Sequence, residues 1–257
     1  MKNKISKLYL ALVFLFLYAP ITVLVVYSFN DSKSRGNWGG FTFKWYLELF
    51  KDRDIKTALY YTVTIAILAA VISTIVGTVS AIGIYNMKTS RMNFLLNINY
   101  LPIINPDIVT GIALMILFLS ANIKLGFSSM LLAHITFDIP YVILSVLPKL
   151  KQLDNNITEA ALDLGATPFY TLKKIIIPQI KPGIITGFLI AFTLSIDDFV
   201  ISFFTTGSGV TNLSIEIYSM ARRGISPTIN ALSSLMLVVV LGLLLIINKR
   251  TTIPTKE

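Results

Sequence analysis

The sequence predicts an all-α integral membrane protein with six transmembrane helices and both termini on the cytoplasmic side. Three observations carry that expectation. Hydrophobic residues make up 54% of the 257-residue chain and charged residues only 14%, against roughly 25% charged in an ordinary soluble domain. Such an apolar excess needs lipid as its solvent. Six apolar stretches reach the length of about 20 residues that crosses a hydrocarbon core: residues 8–29, 58–85, 94–120, 127–147, 180–205 and 228–248. Lys2, Lys4, Lys7, Lys88, Arg91, Lys149, Lys151, Lys173, Lys174, Lys181, Lys249, Arg250 and Lys256 fall on one side of such a topology. They are the majority of the 22 basic residues, so the positive-inside bias places that side in the cytoplasm.

The first span follows a basic flank, as a signal peptide would. Its apolar run is longer than a signal h-region and no A-x-A cleavage site follows it, so it reads as a retained helix. The next loop, 30–57, mixes six basic residues with Asp31, Glu48, Asp52 and Asp54. Within it, residues 42–50 read as an amphipathic helix lying at the membrane interface, with Thr42 as N-cap. A second short helix is expected at Leu213–Arg223, where Leu213, Ile217 and Met220 share a face and Gly224 supplies a stop. The chain divides into an N-terminal helix and outer segment (1–55), a core (56–248) and a tail (249–257).

Several chemistries are excluded. There is no cysteine, and the single histidine, His134, has no imidazole partner for a zinc site, so no metal site is expected. No G-x-x-x-x-G-K-[ST] phosphate loop occurs. The net charge of +9 fits positive-inside bias and anionic lipid rather than nucleic acid.

The segment 149–181 is too polar to span. Asn156 reads as an N-cap with Glu159 three residues on, Gly165 ends that helix, and Thr167-Pro168 starts another. Pro178 and Pro182 are expected to interrupt the chain before the fifth span. The outcome is a helix–turn–helix knob facing the cytosol. Its residues Glu159-Ala160-Ala161, then Gly165, then Ile175-Ile176-Ile177-Pro178 resemble the E-A-A-x3-G-x9-I-x-L-P loop of ABC importer permeases, with Ile177 in place of leucine. The resemblance implies a type I importer fold. It implies too that Glu159, Ala160, Ala161, Gly165 and Ala166 couple the chain to a separate ATPase. The capping role of Glu159 and a partner contact both stand.

The likeness extends along the chain. Trp38-Gly39-Gly40-Phe41-Thr42 with Trp45-Tyr46, Asn105 to Gly111, Leu194 to Val200, Ile217 to Met220 and Ser226-Pro227 resemble the PotC-type permeases of spermidine/putrescine importers. That resemblance implies a bacterial inner-membrane protein working with a PotB-like second permease, an ATPase homodimer that binds ATP and magnesium, and an extracytoplasmic polyamine-binding protein. The chain itself would carry no cofactor and no catalytic residue.

Four aspartates lie inside the apolar stretches: Asp107, Asp138, Asp197 and Asp198. A charged side chain at mid-bilayer costs about 2.5–3.5 kcal/mol on insertion scales, so four facing lipid would cost on the order of 10 kcal/mol. They must face protein, water or the interface. No Lys or Arg sits deep in the spans to neutralise them, which suits a polyvalent cation on the substrate path and suits an oxyanion poorly. Each also has a plainer reading. Asp107 follows Asn105-Pro106 and fits the first turn of a helix; Asp138 precedes Ile139-Pro140 and fits a bond to backbone freed at a kink. Asp197 and Asp198 point about 100° apart on a helix, one toward a path and one toward a partner. His134 reads as a hydrogen-bonded packing residue. Permeases for another organic cation or ferric iron, and a stand-alone ion-coupled carrier or channel, remain as alternatives.

Overall fold

The computed structural model describes residues 2–32, 37–223 and 227–251. Among them almost all ordered structure is helical, and the β contact is an isolated antiparallel bridge between Asn30 and Phe41. In chain order the helices are α1 (Lys2–Tyr27), α2 (Lys44–Leu49), α3 (Arg53–Tyr85), α4 (Thr89–Ile104), α5 (Asp107–Ser120), α6 (Phe127–Lys151), α7 (Asn155–Asp163), α8 (Pro168–Thr171), α9 (Ile177–Asp197), α10 (Val200–Thr205), α11 (Leu213–Arg223) and α12 (Pro227–Thr251). A π turn, Leu172–Ile176, joins α8 to α9. The chain groups into two compact units, Met1–Thr57 with Ile215–Leu244, and Ala58–Ser214 with Leu245–Glu257.

In the first unit, α1 leaves Leu8, Leu12, Phe14, Leu15 and Phe16 more than half exposed, as befits a helix whose solvent is lipid. Beyond it the chain turns on buried Asn30. The Asn30 Oδ1 accepts the amides of Ser32 (3.2 Å) and Gly39 (2.7 Å), its Nδ2 donates to the Asn37 carbonyl (2.9 Å), and its own carbonyl accepts the Trp45 indole N–H (2.7 Å). This anchors α2, whose Trp45 and Leu49 are buried while Leu47 and Phe50 are exposed. The amphipathic helix is thus present but shorter than 42–50. Thr42 lies one residue before the N-cap position, and its hydroxyl still accepts the Lys44 amide at 3.1 Å.

In the second unit, α6 is central. Val142, Ile143, Val146, Leu147 and Leu150 pack against Ala70, Ala81 and Ile84 of α3 and against Ile180 and Ala191 of α9. Small residues allow the approach, as is usual where lipid supplies no hydrophobic drive. A Cβ added at Gly77 would lie 2.7 Å from Val142 Cβ, and one at Gly183 would lie 2.9 Å from the Ser145 carbonyl oxygen.

Ser6–Tyr27, Arg53–Tyr85, Phe127–Lys151 and Pro168–Asp197 are each long and apolar enough to cross a bilayer, and α12 carries a shorter apolar run, Pro227–Gly242. Three expectations are corrected. The stretch 94–120 is not one helix: α4 and α5 meet at 104°. The residue before a proline is driven from the α region, and Asn105, ahead of Pro106, is extended (φ −69°, ψ 141°). The stretch 180–205 is also broken, at Asp198 (φ −60°, ψ 125°), where α9 stops and α10 begins. Conversely, Pro178 and Pro182 do not interrupt the chain. The π turn before Pro178, in which the Ile177 amide donates to the Leu172 carbonyl five residues back, re-spaces the carbonyl that its ring would otherwise strike, and Pro182 lies within the continuous α9. The stop expected at Gly224 and residues 252–257 of the expected tail lie outside the described residues.

Candidate functional site

The loop 149–181 forms the expected knob with a different cap. Asp154, not Asn156, is the N-cap of α7, and its carboxylate accepts the Asn156 amide at 3.0 Å. A capping carboxylate belongs just before the first turn, and Asp154 occupies that place two residues earlier than the sequence reading put it. Glu159 is therefore released from capping. It lines a cleft of about 160 Å³ with Ile82 and Tyr85 of α3, Asn86 just after it, Leu150 of α6, Leu153, and Ile176.

Gly165 ends α7 as expected. It has φ +82°, a left-handed conformation that costs other residues strain. The Gly165 amide donates to the Leu162 carbonyl (2.9 Å) and the Ala166 amide to the Ala161 carbonyl (3.0 Å), which is a complete Schellman closure. Thr167 then caps α8, accepting the Tyr170 amide at 3.3 Å, with Pro168 in the first turn. Ala160 and Gly165 are exposed, Ala166 is half-buried and Ala161 is buried. Ala161, Leu164, Gly165, Ala166, Thr167, Tyr170 and Ile175 surround an open concavity of about 530 Å³. Leu164, which lines this concavity, is 89% exposed and gives it an apolar rim.

The four aspartates separate into two pairs. Asp107 is exposed at the first turn of α5, and Asp197 is exposed at the last residue of α9. Asp138 and Asp198 are withdrawn. Asp138 is fully buried on α6, and its Oδ2 accepts the Ser195 hydroxyl at 2.8 Å, not the backbone bond expected at a kink; its Oδ1 has no hydrogen-bond partner among the described residues. Asp198 caps α10: its Oδ1 accepts the Ile201 amide (3.2 Å) and its Oδ2 the Ser202 amide (2.7 Å). These carboxylate-to-amide bonds compete with the helix ladder and stabilise the break. His134 is a buried, hydrogen-bonded residue, with Nδ1 3.0 Å from Ser195 Oγ, Nε2 2.9 Å from Ser202 Oγ and Nε2 3.5 Å from Asp198 Oδ2. Asn212 completes the cluster, donating to Ser202 Oγ (2.8 Å) and to the Asp198 carbonyl (3.0 Å).

Sequence reasoning missed Ser195, Ser202 and Asn212. One signal was available: His134 and Asp138 are four apart on a helix and so share a face. Among the described residues, none of the four aspartates pairs with a Lys or Arg, and no group of His, Asp and Glu is arranged to hold a metal ion.

The two broken helices meet. Gly111, one turn into α5, packs on α10 so closely that a Cβ there would lie 3.1 Å from Phe204 Cδ2 and 3.4 Å from the Val200 carbonyl oxygen. Interrupted helices inside a membrane are tolerated where they are buried in protein or line a cavity, and they mark binding sites in many transporters.

Known proteins share this design. Residues 73–251 match the family model described as binding-protein-dependent transport system inner membrane component. The spermidine/putrescine transport system permease protein PotC of Escherichia coli (strain K12) is 40% identical over 230 residues, covering 90% of this chain and 87% of that one. The putrescine transport system permease protein PotI of the same organism is 41% identical over 235 residues, covering 89% and 84%. Among solved structures, a bacterial alginate ABC transporter in complex with an alginate-pentasaccharide-bound periplasmic protein superposes with TM-score 0.75 at 18% identity, over 99% of this chain and 96% of its own. The broken helices, the Gly165-closed knob and these matches together establish that the chain belongs to the binding-protein-dependent transport system inner-membrane components, the permease subunits of type I ABC importers.

Proposed function

We propose that this chain is one of two permease subunits of an ATP-driven importer of spermidine and putrescine in the bacterial inner membrane. The observation that carries the substrate class is the pair of exposed carboxylates, Asp107 and Asp197, placed at the two interruptions of membrane helices with no basic residue paired to them among the described residues. An ammonium leaving water needs compensation, and a carboxylate in a narrow, partly dehydrated passage supplies it more strongly than in bulk water. A few separated carboxylates also keep binding weak enough for release. Likeness to two polyamine permeases along nearly the whole chain supports the same substrate.

In this reading the chain spans the membrane six times with both termini cytoplasmic. A PotB-like permease supplies the other half of the pathway. An ATPase homodimer, carrying ATP and magnesium, takes the apolar rim around Gly165 into a cleft, and an extracytoplasmic polyamine-binding protein delivers substrate. Co-purified subunits in proteoliposomes should take up radiolabelled spermidine only with ATP on the ATPase side, and unlabelled putrescine should compete. Ferric iron or another organic cation winning that competition would replace the substrate. Gradient-driven uptake by this chain alone would replace the whole reading with an ion-coupled carrier.

A further inference from the structure

We infer that His134 is a positioning residue for the break between α9 and α10, holding Asp197 and Asp198 in the arrangement that transport requires. The inference rests on the reading of that break as part of the polyamine path. A helix interrupted within a bilayer frees amides and carbonyls that lipid cannot satisfy, and here two of the amides and two of the carbonyls have side-chain partners. The Asp198 carboxylate takes the Ile201 and Ser202 amides, Asn212 donates to the Asp198 carbonyl, and the Ser214 hydroxyl donates to the Asp197 carbonyl at 3.2 Å. This is a built joint.

The His134 ring straddles it. One nitrogen meets Ser195 on α9 and the other meets Ser202 on α10. With the Asp138 carboxylate as acceptor, the bonds fit one tautomer of the His134 ring. The Ser195 hydroxyl donates to Asp138, so its oxygen must accept from His134 Nδ1–H. The Ser202 oxygen accepts from Asn212, which leaves its hydroxyl to donate to His134 Nε2. A chain therefore passes from Asn212 through Ser202, His134 and Ser195 to Asp138, in which Ser202, His134 and Ser195 each use one donor and one acceptor. Hydrogen bonds in such a chain polarise one another in a low-dielectric interior. A second tie holds the far end of α10 to the same helix: Ser129 on α6 donates to the Thr205 carbonyl at 2.7 Å. Apolar side chains would join three helices at lower desolvation cost; what the ring adds is a fixed distance between two hydroxyls on opposite sides of the joint.

The test uses the complete importer in proteoliposomes, with spermidine uptake normalised to assembled complex. The chain has no cysteine, so spin labels at Thr186→Cys on α9 and Phe203→Cys on α10 report the joint directly. His134→Ala is expected to cut maximal uptake about tenfold or more, the usual scale for losing a group that orients a functional one. The half-saturating substrate concentration should change little, and the label distance distribution should broaden. His134→Gln, which restores one donor and one acceptor, should recover most of the rate and the narrow distribution. Asp197→Asn added to His134→Ala should cost much less than it does alone, because coupled residues are non-additive. Ser202→Ala removes one end of the bridge and decides the matter if His134→Ala does not assemble. Wild-type uptake with a narrow distribution in these variants overturns the inference. So does a lower yield of complex with normal uptake per complex. Normal uptake by Asp197→Asn and Asp198→Asn alongside a broadened distribution in His134→Ala would instead defeat the pathway reading and leave the hold of His134 on the joint standing.

Discussion

Replacing Gly183 by alanine tests the packing that supports the site. The added Cβ would sit 2.8 Å from Lys149 Cγ and 2.9 Å from the Ser145 carbonyl oxygen. The lysine stem can swing aside, but the carbonyl belongs to the backbone of α6. The two helices must therefore move apart by several tenths of an ångström. Overpacking of this kind costs typically about 1–3 kcal/mol. Gly187→Ala meets Val142 Cγ1 at 3.2 Å and Val142 Cα at 3.3 Å, a milder conflict that asks for a shift of only a few tenths of an ångström, so its cost should lie near the bottom of that range. Gly83→Ala meets nothing within 4 Å and should gain up to about 1 kcal/mol from helix propensity. Thermal inactivation of the assembled complex, followed by size-exclusion chromatography, should rank Gly83→Ala at or above wild type, then Gly187→Ala, then Gly183→Ala. If Gly183→Ala is as stable as Gly83→Ala, the close α6–α9 contact is not what holds this unit together.

The remaining predictions concern transport. Gly165 has φ +82° with open space where a Cβ would go, so Gly165→Ala should cost about 1–2 kcal/mol of backbone strain and Gly165→Asn less. Gly165→Arg, which places charge at the apolar concavity, should insert normally and abolish uptake, with Glu159→Lys less complete; normal uptake by Gly165→Arg with the ATPase bound would refute the coupling role. Of four single Asp→Asn variants, Asp107→Asn and Asp197→Asn should assemble and lose polyamine uptake, whereas four variants that all assemble and transport normally would remove the electrostatic argument. The purified chain should hydrolyse no ATP above a contaminant control.

The knob was legible because its signals are local. Gly165 and Thr167-Pro168 each determine backbone at their own position, and both act as read. The cap was misplaced because Asp154 and Asn156 are both good caps and only the backbone chooses between them. The two breaks were hidden for different reasons. Asn105-Pro106 announced one, yet apolar residues continue on both sides and hydropathy alone fuses them into a single span. The Asp198 break has no proline; it depends on a carboxylate held by two amides and on His134 and Asn212 arriving from elsewhere in the chain. No window of neighbouring residues contains that information.

The placement of the knob relative to the break gives a physical route for coupling. α6 ends at Lys151, immediately before the knob, and the helical run from Pro168 leaves it and reaches Asp197. These are the helices that carry His134 and Asp138 on α6 and Ser195 on the α9 side of the joint. α9, with 21 residues, is about 30 Å long at 1.5 Å per residue, so a displacement at the knob reaches the joint along two rigid rods. α10 has six residues, too few to be a stable helix alone. It is held by α6 through Ser129 and His134 and by α5 through the contact at Gly111. A shift of α6 against α9 therefore cannot leave α10 in place, because His134 is bonded to both halves of the broken helix. On the function proposed above, the carboxylates at that break would move with the knob, and an ATPase docked there would change how Asp197 faces the proposed path.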